Sequence, residues 1–179
     1  FKNYEDYQFI DPSKNFSTEE VTIFEGNVDT EGLADITKNL NIGQDGAGAA
    51  TITASNSIGN ASSLNLITVN GGHTFDTSTN STEISATNIV LESGSTMTVV
   101  TNSITGAING DASGNGTIRY TGDHAISSEI GGTQSLAAVT VDDGVTLTVG
   151  EDIAATTTTI GGGGSQYHHQ YWACGSRLQ

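Results

Sequence analysis

A pattern of hydrophobic and polar positions recurs three times in this chain, at residues 67–75, 89–97 and 139–147. In each copy two aliphatic residues flank a single spacer, two further spacers and Gly follow, and Thr then precedes another apolar residue. Alternation with a period of two is what a β-strand with one buried side requires. Each copy therefore predicts a short strand, a bend and the start of a second strand.

The spacing of the copies predicts how the strands are arranged. The first copy begins at position 67, the second at position 89 and the third at position 139. Three further matches keep the separation of the first and third copies, namely Ile58 with Ile130, Gly59 with Gly131 and Leu64 with Leu136. Self-similarity of this kind is typical of stacked repeats, which bury their apolar faces against one another. The sequence therefore predicts an all-β fold, a β-solenoid or β-helix with rungs of about 20–25 residues and turns rich in Gly and Asn.

The chain divides into three parts. Residues 1–20 are rich in aromatic side chains and predict an N-terminal cap or docking arm, because the end of a solenoid is an open sheet edge. Residues 21–160 carry the repeats, and residues 161–179 are a glycine-rich linker with a tail that contains aromatic residues, His and the single Cys. Because Tyr and Trp are favoured at interfaces, the two ends supply the candidate partner contacts, which are Tyr4, Tyr7, Phe9, Tyr167, Tyr171, Trp172 and Cys174.

Composition agrees with a narrow core and limits the possible partners. Of the 179 residues 35% are hydrophobic and 6% aromatic, which is little for a compact two-layer domain. With 20 Asp and Glu against 5 Lys and Arg, the formal net charge is −15. A polyanion repels nucleic acid and anionic lipid, and no apolar run is long enough to span a bilayer. We therefore expect neither nucleic-acid binding nor a membrane span.

The acidic residues are scattered along the sequence and predict a solvated negative surface, and the two acidic motifs that could suggest a catalytic or calcium site indicate turns. Asp142 and Asp143 occupy the turn of the third repeat copy, where Asn and Asp are favoured for conformational reasons. Residues 109–115 resemble the start of a calcium loop, but the twelfth position, which needs a bidentate Glu, is Tyr120. A surface turn accounts for residues 109–115 better than a calcium site does.

The histidines are weak candidates for chemistry. His168 and His169 are adjacent and would point to opposite faces of a strand, and with Cys174 they lack the fourth ligand of a zinc site. His73 and His124 are solitary in the sequence, and we expect them to be exposed spacers. We predict that the chain is not an enzyme and has no catalytic residue, no cofactor and no metal site.

Residues 130–160 contain the third repeat copy followed by four consecutive threonines, and they resemble the repeats of autotransporter passenger domains, especially those of rickettsial outer-membrane surface antigens. The resemblance is weaker over residues 51–105 and does not extend to either end of the chain. It implies an exported β-helical stalk that displays or performs adhesion. It brings no catalytic residues to this chain.

Three functions fit these observations. The first is a non-enzymatic extracellular β-solenoid, a surface stalk, fibre or surface-layer subunit that associates with itself or attaches to a host surface or glycan. The second is a fibre or spike component of a phage virion. The third is a polysaccharide-binding β-helix, for which Tyr120, Asp123 and His124 are the available nucleus. Because stacked rungs build a stiff rod from small residues, the sequence favours the first function and an extracellular or cell-surface location.

Overall fold

The computed structural model describes residues 22–24, 39–44, 46, 48–54, 56–59, 63–77, 83–100, 103–162 and 165–168. Within these residues the chain forms fourteen β-strands and no helix, and the all-β prediction is confirmed. The strands are β1 (Thr22–Phe24), β2 (Asn39–Ile42), β3 (Thr51–Ala54), β4 (Leu64–Val69), β5 (Thr74–Asp76), β6 (Glu83–Leu91), β7 (Thr96–Val99), β8 (Ser103–Gly110), β9 (Asn115–Tyr120), β10 (His124–Ile126), β11 (Leu136–Val141), β12 (Thr146–Val149), β13 (Ala155–Ile160) and β14 (Ser165–His168).

The described strands pair in parallel throughout and form three sheets. Sheet A has the order β1-β3-β5-β7-β9-β11-β13, sheet B has the order β2-β4-β6-β8, and sheet C has the order β10-β12-β14. The odd-numbered strands therefore all lie in sheet A, and the chain returns to that sheet once per turn of the coil. A chain coiled in this way through about 5 turns is a β-solenoid, as the repeats predict.

Most turns of the coil have similar lengths. In sheet A, Phe75 pairs with Met97, Met97 with Ile118, and Ile118 with Val139, so the paired positions differ by 22, 21 and 21. The difference falls to 19 between β11 and β13 (155 − 136) and rises to 30 between β1 and β3 (52 − 22). The predicted rung length describes the middle of the coil, and the outer turns depart from it.

Aliphatic side chains form continuous columns inside the coil. In sheet B, Ile67 pairs with Ile89 and Ile89 pairs with Ile108. Isolated bridges extend this column from Ile108 to Ile130 and from there to Ile153. All five side chains are at most 6% exposed. Each side chain is therefore covered mainly by its counterparts one turn earlier and one turn later, which is how a solenoid builds a core from few large residues.

The second aliphatic residue of each repeat copy tests the inferred stacking directly. Val69 and Leu91 are 0% exposed, and Val141 is 1% exposed. These residues belong to the described core, and the prediction that they line the interior is confirmed.

The sequence repeat marks a bend between two strands and does not mark a whole turn. The first two copies run from sheet B into sheet A, through β4–β5 and β6–β7, whereas the third runs from sheet A into sheet C through β11–β12. The third copy therefore lies on a different face of the coil from the first. One residue near these two copies keeps the same role. Ile58 and Ile130 lie nine positions before the first and the third copy, and each forms a parallel bridge to the following turn, with Ile84 and Ile153 respectively.

Each bend has the same hydrogen bond and the same backbone requirement. A backbone N–H donates to the carbonyl three residues earlier at 3.0–3.3 Å in all three copies, from His73 to Asn70, from Ser95 to Glu92 and from Val145 to Asp142. The third residue of each turn has a φ of 74–76°, at Gly72, Gly94 and Gly144. Glycine adopts this left-handed conformation without steric cost, which explains why the repeat contains Gly at that position.

The coil continues into the segment that the sequence divides off as a linker and tail. The backbone of β14 pairs with β12 in sheet C, and the N–H of Gly161 donates to the carbonyl of Val141 at 2.8 Å. Backbone ladders need no particular side chains, so a strand can extend the sheet where the apolar repeat is absent from the sequence.

We expect Phe75→Ala to lower the free energy of unfolding by about 3–5 kcal/mol, because it leaves a cavity in a packed core. Phe75 is 0% exposed and pairs with Ile52 and Met97 on the two sides. The control is Thr148→Ala at an exposed position of β12, with an expected change within about 0.5 kcal/mol. Denaturant unfolding followed by circular dichroism measures the free energy of unfolding of both variants. A loss for Phe75→Ala as small as that for Thr148→Ala would contradict the described core.

Gly131 and Gly144 separate the cost of backbone conformation from the cost of close packing. Their φ values are 75° and 76°. A Cβ at Gly131 would collide with the carbonyl oxygen of Ala154, whereas a Cβ at Gly144 would meet nothing within 4 Å. We expect Gly144→Ala to cost about 1–2 kcal/mol from the left-handed conformation alone, and Gly131→Ala to cost more because the neighbouring turn must move. Equal losses in denaturant unfolding would refute the close approach of the turns.

Candidate functional site

The outward side of sheet A carries a regular array of threonines. Six strands, β3, β5, β7, β9, β11 and β13, each place two residues there, and pairing aligns them in two columns. Nine of the twelve positions are Thr. The first column is Thr51, Thr74, Thr96, Thr117, Ala138 and Thr157, and the second is Thr53, Asp76, Thr98, Arg119, Thr140 and Thr159. We call these twelve residues the threonine array.

Alternation along the strands explains how these residues come to face outwards. The residue between the two array positions is buried in five of the six strands, at Ile52, Phe75, Met97, Ile118 and Val139. Every array residue is half-buried or exposed. Because Thr is favoured in strands, each threonine has a local explanation, and the array is not among the features predicted from the sequence. The signal that was available is the motif Thr-x-Thr, whole or with one Thr replaced, which recurs once per turn of the coil.

The one positive charge of the array is paired. Arg119 donates from Nε to Oδ1 of Asp142 and from Nη2 to Oδ2, both at 2.8 Å. Such a two-pronged pair is geometrically specific. The hydrogen bond with Arg119 lowers the pKa of Asp142, and the same hydrogen bond raises the pKa of Arg119. Both side chains have substantial exposure, at 53% and 27%, so water screens the pair and its contribution to stability is small.

The acids of the repeat turns link successive turns of the coil. Oε2 of Glu92 accepts the backbone N–H of Gly71 at 2.9 Å, and Asp142 accepts from Arg119 as described. Each contact joins residues of adjacent turns, since the partners are 21 and 23 positions apart. The prediction that Asp142 and Asp143 lie in a turn agrees with the structure.

The proposed sugar-binding nucleus has its aromatic ring inside the coil. Tyr120 is 1% exposed, and burial raises its pKa. His124 stacks on it with ring centroids 5.2 Å apart, and burial lowers the pKa of His124. Oδ1 of Asp123 accepts the backbone N–H of Thr146 at 2.7 Å. A buried ring cannot stack on a sugar, so these three residues do not form the aromatic groove that polysaccharide binding would need.

A small cavity lies beside the Tyr120 and His124 rings, where sheet B ends and sheet C begins. Its volume is about 10 Å³, room for about one water molecule. Four isoleucines form half of its wall, and the lining residues are Ile104, Ile108, Tyr120, His124, Ile126, Ser127, Ser128 and Ile130. The cavity is too small for an organic ligand.

Residues 109–115 contain the turn between β8 and β9, in agreement with the surface-turn interpretation. Nδ2 of Asn115 donates to Oδ1 of Asp111 at 2.9 Å, and Oδ1 of Asn109 accepts the backbone N–H of Thr133 at 2.9 Å. These oxygens serve hydrogen bonds of the turn and of the next rung. In the described part of the chain, no group of three or more His, Cys, Asp or Glu residues could hold a metal ion.

The expectation that His73 is an exposed spacer is wrong. His73 is 2% exposed, its Nδ1 accepts the backbone N–H of Ala50 at 3.2 Å, and its Nε2 lies 3.1 Å from the carbonyl oxygen of Gln44. The ring therefore joins its own turn to the preceding one. Both partners are backbone groups of a distant segment, which a reading of local sequence could not identify.

Most of the candidate partner contacts lie outside the described residues. These are Tyr4, Tyr7, Phe9, Tyr171, Trp172 and Cys174, and the ligand candidate His169 lies outside as well. Tyr167 and His168 belong to the backbone of β14. Over the described ranges, no helix has the length and apolar character needed to cross a membrane.

Comparison of the chain with protein-family models, with curated proteins and with solved structures gave no match.

We expect the Arg119–Asp142 pair to stabilise the fold in a pH-dependent way. Because the pKa of Asp142 is lowered in the folded state, its contribution is complete above the unfolded value of about 4 and is lost as pH falls through the folded value. Asp142→Asn should lower the free energy of unfolding at neutral pH by less than about 1 kcal/mol.

A double-mutant cycle with Arg119→Gln, measured by denaturant unfolding at several pH values, isolates this effect. The coupling energy should disappear in strong acid. A coupling energy that does not change with pH would show that the pair contributes through packing and not through charge.

Proposed function

We propose that this chain is a non-enzymatic structural and adhesive unit of the cell exterior, a β-solenoid that extends a surface or fibre by associating end to end. The observation that carries the proposal is the exposed outer edge of β13, the last strand of sheet A among the described residues. The resemblance of residues 130–160 to autotransporter passenger repeats supports the location. The acidic composition, with a net charge of −15, supports solubility of the extended form.

The interior columns support a load-bearing role. Seven strands about 4.8 Å apart give sheet A a length of about 30 Å along the coil axis. Every described turn is bonded to the next through parallel backbone ladders, and the inner side chains are covered by their neighbours above and below. Bending the coil strains all of these ladders at the same time. The unit is therefore stiff for its size.

The last strand of sheet A presents core positions that no other described residue covers. In β11, Val139 is 0% exposed and Val141 is 1% exposed. Their partners in β13 are Thr158 and Ile160, and Thr158 is exposed while Ile160 is 39% exposed. An uncovered strand edge is a template for pairing with another strand. A second copy whose first turn continues the parallel ladder would bury these side chains.

End-to-end contact of this kind joins two different surfaces, so it does not close on itself and leads to linear growth. Pairing through β13 keeps the strand direction and the stacking of the columns unchanged from one copy to the next. The same coil geometry that holds successive turns together inside one chain would then hold successive chains together.

Ile160→Lys tests this proposal. We expect the wild-type chain to show an average mass that rises with concentration in light scattering, and short rods in negative-stain images. Lysine at an uncovered sheet edge discourages pairing, so Ile160→Lys should reduce the concentration dependence at least about tenfold, equivalent to about 1.4 kcal/mol of contact energy.

The matched control is Thr148→Lys, which adds the same charge at an exposed position of β12. It should assemble as the wild type does. A wild-type mass that stays monomeric at all concentrations would refute end-to-end association. A discrete trimer would favour the virion fibre, and specific retention on a polysaccharide column would favour the carbohydrate-binding alternative.

A further inference from the structure

The threonine array is too regular to result from strand propensity alone. Sheet B provides an internal comparison, because its outward positions lie in strands with the same parallel pairing. Of the fourteen half-buried or exposed residues of β2, β4, β6 and β8, three are Thr, namely Thr68, Thr87 and Thr105. Of the eighteen such residues of β3, β5, β7, β9, β11 and β13, eleven are Thr, and nine of these form the array. Strand propensity acts on both sheets equally, so the array reflects a requirement of its own surface.

The pairing of sheet A places the array on a two-dimensional lattice. No register shift interrupts the pairs between β3 and β13, whereas β6 and β8 in sheet B are shifted between Ser85 and Asn88. Neighbours in a column are therefore about 4.8 Å apart, and the two residues on one strand are about 6.6 Å apart. Thr is branched at Cβ and has few side-chain rotamers, so methyl and hydroxyl groups repeat at nearly constant positions.

The hydroxyl and methyl groups of the array restrict the kind of partner that it can bind. Each hydroxyl donates one hydrogen bond and accepts two, and each methyl group orders the water around it. A partner that fits must be uncharged, extended and periodic at comparable distances in two directions. The oxygen atoms of ice repeat at comparable distances and offer both donors and acceptors.

The charge of the array agrees with an uncharged partner. Of the ten acids in the described residues, only Asp76 belongs to the array, and Arg119 balances it formally. The rest of the described surface is acidic. Crystalline polysaccharides are also flat and uncharged, but aromatic rings are the usual platforms for such ligands, and Phe75 and Tyr120 of these strands point into the core.

We propose that the threonine array of sheet A binds the surface of ice. This inference goes beyond the proposed end-to-end association, because the array lies on the side of the coil and uses none of the core positions exposed at the edge of β13. It gives the adhesive role a partner, a growing ice crystal, which the array would bind and whose growth it would restrain.

The test compares the freezing and melting temperatures of small ice crystals in solutions of the protein, and the fraction of protein taken up by slowly growing ice. The wild-type chain should open a gap between the two temperatures and should be enriched in the ice. Thr96→Lys combined with Thr98→Lys places two charges at the centre of the array and should abolish both effects. Circular dichroism establishes that this variant is folded.

The control, Thr68→Lys with Thr148→Lys, adds the same charges on the outward sides of sheets B and C, and should retain both effects. Asp76→Thr with Arg119→Thr and Asp142→Asn removes the charges that interrupt the array and should widen the temperature gap. This variant can only gain activity if the array is the binding surface.

Absence of the gap and of enrichment in the wild type would overturn the inference, as would equal loss in the control. Sedimentation of the protein with crystalline cellulose or chitin, without uptake by ice, would assign the array to polysaccharide and overturn it as well. Ile160→Lys keeps the two proposals apart, because it should lose association while its uptake by ice per molecule remains.

Discussion

The parallel hydrogen-bond ladder between successive turns is the interaction on which the rest of this molecule depends. It places each residue directly over its counterpart one turn away, as in the pairing of Phe75 with Met97 and of Met97 with Ile118. Burial then needs no large side chains, because each one is covered by its neighbours above and below. The same ladder also aligns the side chains on the outer side of the sheet, although these side chains bury little surface.

The interior of the coil was predictable from the sequence because its signal is local. Two aliphatic residues, a turn and a further apolar residue define a strand and a bend without reference to the rest of the chain. The face of the coil on which each repeat copy lies was not predictable. Val139 occupies the same repeat position as Ile89, yet it pairs with Ile118 in sheet A. The turns of the three repeat copies are alike, so they do not indicate the face of the coil on which each copy lies.

Features that join different turns were the ones that sequence reasoning missed. His73 is buried by contacts with Ala50 and Gln44, and Arg119 pairs with Asp142 from 23 positions away. The threonine array belongs to this group, because the Thr-x-Thr motif can be found in the sequence but its spacing changes from one turn to the next, so that the two columns become visible only once the register is known. Tyr120 shows the opposite error, since a residue assigned to a binding groove lies in the core.

The solenoid separates the demands of the core from those of the surface. In sheet A, inner and outer residues alternate along each strand, so the composition of the outer side can change while the columns stay intact. Asp76 and Arg119 can therefore interrupt the threonine array without disturbing Phe75 and Ile118 beside them. The acidity of the remaining faces opposes side-by-side contact between copies. Our two proposals therefore place close approach elsewhere, at the outer edge of β13 for another coil and at the formally neutral array for an uncharged lattice.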